Sequence, residues 1–158
     1  MKIWKLLFLS AVIILLSGCG SSNSLKGKSR GEIIAEYAKT YQGAPYKYGG
    51  TTPKGFDCSG FVNYVYGQFS FNLPRSSSEL MKKGAKINEK KLKPGDLVFF
   101  KGSNKKNKKV GHVGIVTETH RSGKFKFIHV STTKGVRTDD SELDYYKTRY
   151  LQARRIIQ

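Results

Sequence analysis

Acidic residues are scarce. Against 29 Lys+Arg the 158 residues hold only 11 Asp+Glu, a formal net charge of +18. So one-sided a surface draws polyanions: nucleic acid, anionic lipid or acidic cell-wall polymer. Cysteine is scarcer still, at two. Two thiols close at most one disulfide, which excludes a disulfide-built scaffold. A long apolar run is lacking at the start, where one would anchor the chain. Leu6–Leu16, broken by Ser10, rises about 16 Å as a helix, roughly half the hydrocarbon thickness of a bilayer. There is no internal repeat. With 38% hydrophobic and 12% aromatic residues the chain can still bury a core, and its length fits one domain.

Lys2 and Lys5 precede that short run, so residues 1–18 read as a signal peptide. Leu16-Ser17-Gly18-Cys19 follows it directly, and small residues before a single Cys resemble the lipobox of bacterial lipoproteins. The resemblance implies cleavage before Cys19, a diacylglycerol on its thiol and a further acyl chain on its new amine. Several chains hold a protein on a membrane where one is marginal. Residues 19–30 are expected to be a lipidated flexible tether, being small, polar and basic. Gly20 stands where an inner-membrane retention signal carries Asp, so an outer membrane facing the periplasm is expected if the cell has one. Cleavage removes only Lys2 and Lys5 from the basic excess. The charge therefore belongs to the exported part.

The remaining chain, 31–158, changes period midway. GEIIAEYAKTYQ (31–42) carries Ile33, Ile34, Tyr37, Ala38 and Tyr41 at helical spacing. Residues 43–57 are loop-like, rich in Gly and Pro. CSGFVNYVYGQF then repeats a helical stripe with Asp57 as its N-cap and a tight-packing Gly60 in its first turn. Beyond Lys93-Pro94-Gly95-Asp96, a turn signal, the segments 97–100, 112–116, 125–130 and 149–157 read as strands. Helices first and a mostly antiparallel sheet after them make an α+β domain. Lys82–Lys93 holds six lysines and Lys101–Lys109 five. Neither interleaves aromatics, so nucleic acid is not expected as a partner.

If Cys19 carries lipid, Cys58 has no partner for a disulfide. It sits in the first turn of a predicted helix, where free N–H groups and the helix dipole favour a thiolate. A nucleophilic Cys needs a base in reach and the base an orienting partner. His112 and His129 are 17 apart on two predicted strands, and an even-length connection puts their side chains on one face. A four-residue loop, 119–122, pairs His112 with His129, Gly114 with Phe127 and Val116 with Phe125. A tight Ser122-Gly123 turn instead offsets them by four residues. His120 falls in the loop either way. A metal site from one Cys and two His lacks a fourth ligand and short ligand spacing, so no metal or other cofactor is expected. Core histidines with a structural Cys are the plain alternative.

The motifs together go further. Pro45-Tyr46-Lys47-Tyr48-Gly49-Gly50, Phe56-Asp57-Cys58-Ser59-Gly60-Phe61, Leu73-Pro74-Arg75, Pro94-Gly95-Asp96-Leu97-Val98-Phe99-Phe100, Gly111-His112-Val113-Gly114-Ile115 and Ile128-His129 resemble, in order and spacing, the NlpC-type cell-wall cysteine peptidases. Among these the chain is most similar to small lipoprotein members. The resemblance implies a papain-like fold over about 31–158 and hydrolysis of amide bonds in murein stem peptides or cross-links. It implies Cys58 as nucleophile, His112 as general base and His129 as the residue orienting it. Tyr46 is matched to an oxyanion or substrate contact, and Arg75 is a candidate partner for a substrate carboxylate. It also implies a monomer. Two rival functions remain open: a non-catalytic cationic wall-binding lipoprotein, and an amidase or acyltransferase using the same residues.

Overall fold

The computed structural model describes residues 27–104, 106 and 108–157. The expected signal segment, Cys19 and most of the expected tether lie outside the described residues. Helix α1 (Arg30–Lys39) opens on a capping box in which Ser29 accepts from the Glu32 N–H and Glu32 reaches back to Ser29. Lys28 pairs with Glu36. The folded domain thus begins earlier than residue 31, taking in the last residues of the expected tether. The helix also stops sooner than expected, at Lys39.

A two-residue ladder, β1 (Thr51–Thr52) with β2 (Gly55–Phe56), leads into α2 (Cys58–Gly67). A short helix α3 (Ser77–Leu80) follows. The strands are β3 (Ala85–Ile87), β4 (Leu97–Lys101), β5 (Val110–Thr119), β6 (Phe125–Ser131), β7 (Gly135–Asp140) and β8 (Tyr150–Arg155), with the short helix α4 (Asp144–Lys147) before β8. They form one antiparallel sheet in the order β3-β8-β4-β5-β6-β7.

The unbroken apolar run of β4 explains its central place: a strand covered on both faces needs no polar alternation. Leu97 and Phe99 face the helices and join Ile34, Phe61, Val65 and Leu80 in one core cluster. Val98 and Phe100 face the other way, with Val116, Phe125, Phe127 and Tyr146 in a second. Among the described residues no helix is long and apolar enough to cross a membrane.

The hairpin β5–β6 has neither expected register. Thr119 pairs with Phe125 across a five-residue loop, and Ile115 pairs with Ile128 after a bulge between Val116 and Glu118. A five-residue loop alone would put the two histidines on opposite faces. The one extra residue of the bulge restores the parity. His112 and His129 therefore share a face, but as diagonal rather than direct neighbours.

Candidate active site

Asp57 ends the β2 segment and caps α2, its Oδ1 accepting from the Gly60 N–H at 2.7 Å. Cys58 is thereby the helix's first residue. Gly60 lets the helix close against the preceding loop, since a Cβ there would lie 2.0 Å from the Gly50 carbonyl oxygen. That carbonyl in turn accepts from the Asp57 N–H. Any larger residue would push the cap and the first turn of α2 apart.

The β5–β6 ladder begins only at Ile115↔Ile128. Ahead of it β5 runs free of β6, and the α2 N-terminus abuts it there. The half-buried Cys58 sulfur accepts from the backbone N–H groups of Val113 and Ser59. Burial and then the Asp57 charge push the thiol above its ordinary value, against the pull of the backbone N–H groups around it. This corrects the expectation of a lowered thiol pKa: the helix N-terminus is outweighed by desolvation and by the acid that caps it.

His112 lies beside Val113 with its ring on the face away from the helices. Its Nε2 is 2.9 Å from Nδ1 of His129. Nε2 of His129 is 2.9 Å from Oδ2 of Asp139, and the Tyr146 hydroxyl donates to that same oxygen at 2.8 Å. Arg137 donates to Oδ1. Gly114 makes the diagonal possible, because a Cβ there would stand 2.6 Å from the Phe127 ring and 3.2 Å from Cβ of His129.

These partners fix the protons. A carboxylate only accepts, so neutral His129 carries its proton on Nε2 and accepts at Nδ1. His112 then donates from Nε2, which leaves its Nδ1 with a free lone pair.

Burial lowers His112 to about 3, with a further push from His129 and partial relief from Asp139. Burial also lowers His129, despite Asp139. Burial acts to raise Asp139, yet the hydrogen bonds from His129, Tyr146 and Arg137 hold it below the usual carboxylate value. Both imidazoles are thus neutral in the folded protein near neutrality. Unfolded, each would take up a proton at about pH 6.5. Between that pH and the folded value the unfolded chain binds more protons, so stability falls as pH falls. The melting temperature is expected to drop from about pH 7 to about pH 4, and to drop less in His112→Gln. Thermal denaturation at stepped pH checks this, and parallel slopes for the two proteins would refute it.

Arg75 is not free for a ligand. Its Nη1 donates to Asp57 Oδ1 at 3.0 Å and Ser59 Oγ at 2.8 Å, and its Nη2 to Asp57 Oδ2 at 2.5 Å. It braces the cap of α2. Tyr46 forms a backbone bridge with Phe56, two residues before Cys58, and packs against the helix-side core. His120 lies at the hairpin tip, away from this chain of groups. Among the described residues no cluster of three or more His, Cys, Asp or Glu is placed to hold a metal. Three residues escaped the sequence reading: Asp139, Tyr146 and Arg137.

A cysteine at a helix N-terminus set against a histidine-bearing antiparallel sheet defines the papain-like cysteine peptidase class. A model of the NlpC/P60 family matches residues 43–155, and the chain belongs to that family. It is 36% identical to the probable endopeptidase NlpC of Escherichia coli K12, over 90% of this chain and 94% of that protein. It is 38% identical to the gamma-DL-glutamyl hydrolase of Bacillus subtilis, over 97% of this chain but only 37% of that protein's length. A crystal structure of an NlpC/P60 family protein from Bacillus cereus superposes with a TM-score of 0.73 at 27% identity, covering 82% of this chain and 41% of the other. The NlpC/p60 domain of the peptidoglycan hydrolase SagA gives 0.67 at 28%, covering 80% and 99%.

Proposed function

We propose that this protein is a peptidoglycan endopeptidase, hydrolysing amide bonds of wall peptides through Cys58, His112 and His129. The observation that carries the reading is the run of groups from Asp139 through His129 to His112, next to a cysteine at a helix N-terminus. Relatives named murein endopeptidases support the substrate class, among them the Escherichia coli murein DD-endopeptidase MepS/murein LD-carboxypeptidase, 33% identical over 93% of this chain.

Burial disfavours the charged form of both the Cys58 thiol and the His112 imidazole. Attack is therefore coupled to proton transfer: Cys58 Sγ bonds to the amide carbon as its proton passes to Nδ1 of His112. The Cys58 N–H and the Tyr46 hydroxyl stabilise the oxyanion. The imidazolium protonates the leaving amine, and the C–N bond breaks to leave a thioester. His112 then takes a proton from water, which attacks the thioester and releases the acid and the thiol. Asp139 and Tyr146 hold His129, and His129 holds His112, in the tautomers this sequence requires.

Purified wall incubated with the protein should release fragments with new peptide ends, and with Cys58→Ala none. Fragment masses identify the bond. New ends from both proteins, or from neither, would refute the proposal.

We further propose that Cys19 is lipidated and that the domain works tethered to a membrane, its positive charge holding it to the anionic envelope. Cells fed labelled palmitate should yield labelled wild-type protein and unlabelled Cys19→Ala. Label in both would refute it.

A further inference from the structure

A cavity of about 460 Å³ adjoins the two histidines on the face away from α2, within the ~300–1,000 Å³ range of small-ligand sites. We propose that it is the subsite for a free carboxylate on the substrate residue that supplies the leaving amine, with Lys134 as the charged contact. This rests on the peptidase reading above.

The side follows from the proton. The leaving amine takes its proton from His112, so the residue bearing that amine lies on the histidine side of the scissile bond. His112 and His129 both line the cavity, and Cys58 does not.

The charge follows from the partners. Asp139 also borders the cavity, but its carboxylate is already engaged by His129, Tyr146 and Arg137. Lys134, on the turn from β6 to β7, has no carboxylate within ion-pair distance among the described residues. Arg137 also borders the cavity, but its charge is paired with Asp139, which leaves Lys134 as the cation open to a ligand. The site therefore presents unneutralised positive charge to whatever enters.

The rim is apolar. Large hydrophobic side chains exposed among the described residues are Tyr48, Leu143 and Tyr145, and two of these three border this cavity. Cation and apolar rim together suit an aliphatic residue ending in a carboxylate. Diaminopimelate is such a residue. Cleavage beside γ-D-glutamate releases the amine at one end of diaminopimelate and leaves its free carboxylate at the other end, where a side subsite can reach it.

Two synthetic stem peptides test this: L-alanyl-γ-D-glutamyl-diaminopimelyl-D-alanine with the diaminopimelate side-chain carboxylate free, and the same peptide with that carboxylate as the amide. The wild type should favour the acid by roughly three- to tenfold in kcat/KM, the size of one partly solvated charge contact. Lys134→Gln should collapse that ratio toward one, and Lys134→Arg should restore it. A wild type that does not discriminate, or a Lys134→Gln that slows both peptides equally, overturns the subsite. Binding to the Cys58→Ala protein separates the two readings. If neither peptide is cleaved but the acid alone shifts the amide resonances of residues 131–134, and Lys134→Gln abolishes the shifts, the subsite stands and the peptidase reading falls. If the resonances do not move with either peptide, the subsite falls.

Discussion

Cys58→Ala is expected to lower turnover of a wall peptide by at least about 10⁴-fold, as loss of a covalent nucleophile does elsewhere. The fold should survive. Cys58 is half-buried at a helix end, and truncating it leaves the Val113 N–H without its sulfur acceptor. That costs about 1–2 kcal/mol, or several degrees in melting temperature for a domain of this size. Cys58→Ser separates the two effects. A hydroxyl can still accept from Val113, so stability should recover, while an alkoxide is far harder to generate than a thiolate and turnover should not. Peptide hydrolysis followed by chromatography, with thermal denaturation in parallel, reads both. An alanine variant retaining a tenth of wild-type turnover would remove Cys58 from the chemistry.

Asp139→Asn should cost about 10²- to 10⁴-fold in kcat/KM while KM changes little, by analogy with other triads in which a carboxylate sets a histidine tautomer. The change is nearly isosteric, so packing is kept. What alters is the direction of the hydrogen bonds. An Asn amide can donate to Nε2 of His129, which moves the His129 proton to Nδ1. His112 must then accept at Nε2 and carry its own proton on Nδ1. The lone pair meant for the thiol proton is gone. Nitrogen-correlated NMR of the two imidazoles reads the tautomers directly, alongside the kinetics. Wild-type kinetics with reversed tautomers, or lost activity with unchanged ones, would refute the relay.

The residues proposed to act on the bond were legible because each announces itself. Cys58 follows an Asp that can cap and precedes a helical stripe, and the odd separation of the two histidines admitted a shared face. The details of that hairpin were not legible. The bulge leaves no local mark, because Thr117, the extra residue, is a good strand former. Asp139 was hidden for another reason. GVRTDD has no apolar alternation, so it reads as loop, and of two adjacent aspartates neither is favoured. Only the pairing of His129 with Arg137 puts Asp139, two residues further on, on the same face as the histidines. Tyr146 depends on a four-residue helix too short to carry a pattern. The thiol pKa was misjudged because a helix N-terminus can be seen in sequence and desolvation cannot.

The relay runs Asp139 on β7, His129 on β6 and His112 on β5, three neighbouring strands of one sheet. His129 and Asp139 are aligned by the β6–β7 ladder, whereas His112 lies on the stretch of β5 ahead of its pairing with β6 and reaches their face through the bulge. The Lys-rich connection between β4 and β5 lies outside that alignment and can change charge without moving the three side chains, whereas the tip at 120–124 and the bulge together set the face that His112 takes. A single-residue insertion inside β6 or β7 would turn one member of the relay to the opposite face. The one extra residue at Thr117 is therefore what keeps His112, His129 and Asp139 on a common face.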